Sequence, residues 1–187
     1  MSRVIHVFRT PDRFVAGTVG EPGDRTFYLQ AVDDAKVVSV QMEKEQVAVL
    51  AERLSALLDE VVRRLGDAAA ESGELPVDTE PLRTPVEQEF RVGTMGLGWD
   101  IESRSIVVEL LAVSEQEIDE SMVLDDAEEG PDAVRVFLSL EQARAFAVRA
   151  VRVISAGRRP CPLCKEPLGP KGHICPRQNG YRRQVEA

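Results

Sequence analysis

The chain has 187 residues and a net charge of -9, with 43% hydrophobic but only 5% aromatic residues. This composition is typical of a globular protein with an aliphatic core. No apolar run approaches the roughly 18 residues of a membrane span. The first residues also lack the apolar region of a secretory signal peptide. We therefore expect a soluble cytoplasmic protein that does not enter a membrane.

The first part of the chain predicts strands followed by a helix. Apolar alternation indicates strands at 3–8, 14–20, 26–31 and 37–42, separated by turn-forming residues. After Glu43 the apolar period changes from two to about 3.6, which is typical of an amphipathic helix. The residues on its apolar face are Val47, Leu50, Leu54, Leu57, Leu58, Val61 and Leu65, and Gly66 can end it.

The same pattern then occurs a second time. Phe14–Gly20 reappears as Phe90–Gly96, with Phe, Gly, Thr and Gly in register. A further strand follows at 106–113, and residues 136–147 again pass from a strand into a helix. Ser139 and Gln142 form a capping box at the start of this second helix. Its predicted inner face consists of Leu140, Ala143, Ala147, Ala150, Val151 and Ile154.

We interpret the repetition as an internal duplication of a β-β-β-α unit, at about 10–66 and about 86–157. Neither helix covers more than one face of its own small sheet, so the units should combine. We predict an α+β fold over residues 1–157, in which one antiparallel sheet carries both helices on one face. A pseudo-twofold axis would relate the two units.

Two acidic segments interrupt this pattern. Residues 67–88 contain three prolines and several acids, and are expected to form an exposed linker. Residues 115–132 contain nine acidic residues and no basic residue, and are an insertion in the second unit. The acids of the insertion lack the spacing of a calcium loop, which favours a solvated surface.

The cysteines all lie in the last thirty residues of the chain. Cys161 and Cys164 are separated by two residues, and His173 and Cys175 by one. Three thiols and one imidazole at these spacings predict a tetrahedral zinc site, and four protein ligands leave no open position for catalysis. We therefore predict a structural zinc ion; a loop of reduced thiols is the alternative.

Residues 158–187 form a basic tail on an acidic body. The tail has seven basic and two acidic residues, a net charge of +5, which leaves -14 for the rest of the chain. Guanidinium groups beside an aromatic ring suit phosphates, stacked bases or an acidic protein surface. The predicted partner-binding residues are Arg177, Asn179, Tyr181, Arg182 and Arg183. The acidic insertion of the same chain is another candidate partner for these arginines.

No sequence motif indicates a catalytic nucleophile, a phosphate loop or a dinucleotide site. The leading hypothesis is therefore a non-enzymatic binding or adaptor protein. The alternative is an enzyme acting on a phosphorylated metabolite, with a pocket between the two units near Gly17, Gly93 and Trp99. Such glycines more often mark bulges and tight turns. His6, alone in a strand, is expected to be packed rather than catalytic.

Three stretches carry a resemblance to a known family: Val4–Phe8, the Cys-Pro-Leu-Cys pair, and the closing His-x-Cys-Pro-Arg-x-Asn-Gly-Tyr-Arg-Arg. The chain resembles, over essentially its whole length, an uncharacterised family of actinobacterial proteins described as a domain of unknown function. In that pattern Cys161, Cys164, His173 and Cys175 match the family's metal cluster. The resemblance implies no established activity.

Overall fold

The computed structural model describes residues 3–66, 76–114, 129–157, 161–165, 168, 174–175 and 177. These residues form strands and two helices, which confirms the predicted α+β class. The strands are β1 (Ile5–Phe8), β2 (Arg13–Val19), β3 (Thr26–Asp33), β4 (Lys36–Met42), β5 (Gln88–Asp100), β6 (Ser105–Ala112) and β7 (Ala133–Leu138). The helices are α1 (Lys44–Leu65) and α2 (Leu140–Ser155).

The seven strands form one sheet in the order β1-β7-β6-β5-β4-β3-β2. Most neighbours are antiparallel, but β4 pairs with β5 and β1 pairs with β7 in parallel. The sheet is therefore mixed, whereas the sequence had predicted an antiparallel one. Both helices pack on one face of this sheet, as expected.

The two predicted units, β2-β3-β4-α1 and β5-β6-β7-α2, have the same order of elements. Because β4 and β5 run parallel at their junction, the second unit follows the first in the same sense along the sheet. A twofold axis would have placed antiparallel strands there, so the predicted pseudo-twofold relation is wrong. The duplication itself stays a prediction.

Both helices begin with a capping box, which the sequence had predicted only for the second helix. The backbone N–H of Glu43 donates to Gln46 Oε1 over 2.9 Å at the start of α1. At the start of α2, Ser139 Oγ accepts from the backbone N–H of Gln142 over 3.2 Å, which confirms the predicted capping box. Helix α1 ends at Gly66, as predicted, and Gly66 has a φ of 63° that suits glycine.

The core lies between the helices and alternate residues of the strands. Phe146 of α2 stacks on Phe14 of β2, with ring centroids 4.8 Å apart. The buried side of α2 therefore includes Phe146 and Arg149, which were not part of the predicted inner face. Val151, predicted to face inward, is 58% exposed, so that prediction was wrong.

A strap of residues 76–87 follows α1 and leads into β5. Phe14 and Ala16 of β2 face the helices, so Gly17 presents the opposite side of the strand. Leu82 of the strap packs there: a Cβ atom at Gly17 would lie 2.5 Å from Leu82 Cγ. The strap lies within the predicted exposed linker, and although most of it is exposed, Leu82 is only 7% exposed.

Two arginines hold the strap. Arg13 of β2 forms an ion pair with Asp78 and donates to the backbone carbonyl of Pro81 over 3.0 Å. Arg149 of α2 donates to Asp78 Oδ1 over 2.9 Å and to the carbonyl of Ala16 over 2.8 Å. Since β2 is an edge strand of the sheet, the hydrogen bond from Arg149 satisfies a backbone carbonyl of β2, that of Ala16, on this edge strand.

The opposite edge of the sheet, strand β1, approaches the hairpin between β3 and β4. Lys36 Nζ donates to the carbonyl of Val7 in β1 over 3.3 Å and lies 4.4 Å from the centre of the Phe8 ring. His6 Nε2 lies 3.2 Å from Glu89 Oε1 at the start of β5. The His6 side chain is 22% exposed, so it contributes to the packing of β1, as expected.

Candidate metal centre

The first two cysteines lie on a tight turn just after α2. Pro162 follows Cys161, and the fixed φ angle of proline suits the second position of a turn. The backbone N–H of Lys165 donates to the carbonyl of Cys161 over 2.9 Å, which closes the turn. Lys165 has a φ of 66°, in the left-handed region. This local geometry places the side chains of Cys161 and Cys164 on the same side of the turn.

Cys175 completes a cluster of three thiols. The Sγ atoms of Cys161, Cys164 and Cys175 all lie within 4.8 Å of one another. The Sγ atoms of Cys161 and Cys175 are 3.8 Å apart, far more than the roughly 2.05 Å of a disulfide bond. In a tetrahedral site with Zn–S bonds of about 2.3 Å, two sulfur atoms are separated by about 3.8 Å. The thiols are therefore spaced as ligands of one ion.

The burial of the cluster agrees with a closed site. Cys161 is 4% exposed and Cys175 is 2% exposed, while Cys164 is half-buried. Thiolate ligands shielded from water on this scale are typical of structural metal sites rather than of sites that admit a substrate. The three cysteines predicted as ligands are brought together. His173, the fourth predicted ligand, lies outside the described residues.

The residues around the cluster include one of the predicted partner-binding residues. Arg177 is exposed, and its Nη1 donates to the carbonyl of Leu163 over 3.1 Å, which joins the two cysteine segments. Leu163 is 46% exposed and Ile174 is 83% exposed, and each directly precedes a cysteine. These two aliphatic residues were not predicted, although their position next to the ligands was a usable signal. The other predicted residues, Asn179, Tyr181, Arg182 and Arg183, lie outside the described residues.

Neighbouring atoms fill the space beside the two glycines that were considered for a catalytic pocket. Leu82 fills the space at Gly17, and a Cβ atom at Gly93 would lie 2.9 Å from Val113 Cα. The two glycines lie on β2 and β5, which are separated by β3 and β4. Trp99 lines a separate cavity of about 320 Å³ beside Arg9. Neither Gly17 nor Gly93 lines this cavity.

A buried ion pair lies on the sheet face opposite the helices. Glu109 of β6 is fully buried, and its Oε1 accepts from Nε and Nη2 of Arg135 on β7 over 3.1 and 2.8 Å. The two residues are direct cross-strand partners. Arg3 Nη2 lies 4.0 Å from the same carboxylate. This ion pair was not predicted, although each strand carries one charged residue among apolar ones, which was a usable signal. Its geometry suits cross-linking of β6 and β7.

A family model described as "Protein of unknown function (DUF3090)" matches residues 6–175 of this chain. The chain belongs to this family. The matched region of the DUF3090 family includes the sheet, both helices and all three cysteines. The comparison with curated proteins and the comparison with solved structures each found no match. Within the described ranges, no helix has the length and apolar character needed to span a membrane.

Proposed function

We propose that this DUF3090 protein is a non-enzymatic binding protein in which a structural zinc ion orders a basic tail for an anionic partner. The observation that carries the proposal is the cluster of three thiols, two of them buried, whose Sγ atoms all lie within 4.8 Å of one another. Cys161, Cys164 and Cys175 would hold the ion together with His173. When bound, the ion supplies a cross-link between two turns that are too small to fold by hydrophobic burial alone.

Metal analysis tests the zinc site directly. Untagged protein purified without chelator should contain about one zinc ion per chain. Cys164→Ser should lose the ion and expose the tail to limited proteolysis, while the body keeps its unfolding transition. Leu163→Ser changes the adjacent exposed residue and should retain the metal. A wild-type tail that resists proteolysis without any bound metal would contradict the proposal.

The surface around the cluster supports an acidic protein as the partner. Leu163 and Ile174 present aliphatic side chains, and Lys165 and Arg177 add positive charges beside them. Aliphatic groups cannot stack on bases as aromatic rings do, but they fit an apolar patch bordered by carboxylates. The tail as a whole has a net charge of +5. Nucleic acid is the competing anionic partner.

The acidic insertion at 115–132 is proposed to compete with that partner for the basic tail. Exposed ion pairs contribute only about 0 to 1 kcal/mol each and weaken with salt, so the contact would be reversible. A variant without residues 116–130 should bind an acidic model protein more tightly than the full chain does, most clearly at low salt. Equal affinity of the two proteins would contradict the competition. Binding of single-stranded nucleic acid, with a steep salt dependence, would instead indicate the competing partner.

A further inference from the structure

Helix α2 has apolar residues on a side that does not enter the core. Val148 is 44% exposed and Val151 is 58% exposed, and they lie one turn apart. Isolated exposed valines are common on protein surfaces and need no explanation. Here, however, both valines line the same groove, which makes them part of one surface.

This groove lies between α1 and α2 and has a volume of about 480 Å³. Leu58 and Ala147, both nearly fully buried, also line it. Val62 of α1 adds a further apolar side chain to its lining. The groove therefore combines an apolar interior with exposed apolar side chains, which is the composition of a protein contact surface.

The charges on the two sides of the groove differ in sign. Helix α1 contributes Asp59, and α2 contributes Arg144 and Arg152. We propose that this groove is the contact surface of a homodimer. A twofold axis parallel to the groove places α1 of each copy over α2 of the other, because a C2 contact uses the same patch twice. Asp59 of each copy then faces the arginines on α2 of its partner.

The charge pattern selects this arrangement over the other face-to-face dimer. A twofold axis perpendicular to the groove would place α1 over α1, with Asp59 near Asp59 and arginines near arginines. Such like-charge contacts are repulsive and suppress that pairing. The groove is lined by fewer residues than the roughly 20 to 30 that each partner contributes to a standard interface. We therefore expect a dimer that dissociates on dilution.

Sedimentation velocity tests the proposal with the full chain, at protein concentrations from about 1 μM to about 1 mM. The wild-type protein should change from monomer to dimer over this range. Val148→Glu places a charge in each copy's contact and should weaken dimerisation by about 100-fold. Val49→Glu is the matched control: Val49 is 38% exposed on α1 but does not line the groove. It should dimerise like the wild type.

Charge reversal tests the orientation. Asp59→Arg alone and Arg152→Asp alone should each weaken the dimer by about tenfold or more, because like charges then meet twice. An equimolar mixture of the two variants should recover dimers, since both contacts between positions 59 and 152 in the mixed dimer again join opposite charges. Far-UV circular dichroism of each variant checks that it is folded.

Three outcomes would overturn the proposal. One is a wild-type protein that stays monomeric up to about 1 mM. Another is a dimer that Val148→Glu leaves intact, since the contact would then lie on a different surface. The third is a mixture of the charge-reversed variants that dimerises no better than either variant alone, because the α1-over-α2 arrangement would then be wrong.

Discussion

Gly17→Ala tests whether Leu82 of the strap packs against the face of β2 that lies opposite the helices. The new Cβ atom would lie 2.5 Å from Leu82 Cγ and 2.6 Å from Cδ2, whereas carbon atoms in contact are about 3.5 to 4.0 Å apart. Leu82 must therefore move by about 1 Å or more. The neighbouring residue restricts that movement, because the backbone N–H of Arg83 donates to Gln30 Oε1 over 2.8 Å.

Overpacking of this kind costs about 1 to 3 kcal/mol, and replacing glycine offsets about 0.4 to 1 kcal/mol through the unfolded state. We expect a net loss of about 1 to 2 kcal/mol in the free energy of unfolding. Leu82→Ala alone should cost about 2 to 3 kcal/mol, because Leu82 is buried. In the double variant the overlap is gone, so Gly17→Ala should then cost almost nothing.

Urea denaturation followed by the fluorescence of Trp99, the chain's one tryptophan, measures all four proteins of this cycle. Gly93→Ala is the matched control, because its Cβ atom would meet the backbone of Val113, which no change at Leu82 relieves. Gly93→Ala should lower the free energy of unfolding by the same amount in the wild type and in the Leu82→Ala background. If Gly17→Ala costs as much in the Leu82→Ala background as in the wild type, the packing argument is refuted.

The other two predictions concern the arginine contacts and a helix start. The hydrogen bond from Arg13, helped by the charges of Arg13 and Arg149, holds the pKa of Asp78 below its usual range. Asp78 therefore stabilises the fold above about pH 4, and this contribution is lost as the pH falls through its lowered pKa. Asp78→Asn should lower the free energy of unfolding by about 1.5 to 3 kcal/mol at pH 7. In acid denaturation curves measured toward about pH 2, the stability of the variant should converge with that of the wild type. A difference in stability that stays constant with pH would contradict this cause. Ser139→Ala should cost about 1 kcal/mol in urea denaturation, because it removes the cap of α2. Ser55→Ala, inside α1, should cost nothing, and equal losses in the two variants would argue against the cap.

Periodicity was enough to predict the strands of both units, α1 and the start of α2. It could not give the two parallel pairings, because alternation shows which face a residue presents and not which strand lies beside it. The strap was missed as a packed element for a similar reason, since Leu82 is a single buried residue among prolines and acids. Val151 was assigned inward because it continues the apolar period, but the bulk of Phe146 sets the rotation of α2.

The proximity of the three cysteines could be predicted from the sequence, whereas the zinc ion and His173 as its fourth ligand stay predictions. Ligand chemistry is a property of short spacings, so Cys161 and Cys164 could be placed on one turn from the sequence alone. The approach of Cys175 was predicted correctly as well. The exposed pair Leu163 and Ile174 was not predicted, because exposure depends on how the two turns lie against each other.

The pairing of β1 with β7 also affects the order in which the chain can fold during synthesis. Ile5 pairs with Ala133, 128 residues later. At a translation rate of roughly 5 to 20 residues per second, β1 waits roughly 6 to 26 seconds for its strand partner to be made. The first β-β-β-α unit can assemble in that interval, while Phe8, fully buried in the final structure, awaits its β7 neighbours. Slower translation therefore extends the time during which β1 is open to pairing with another nascent chain.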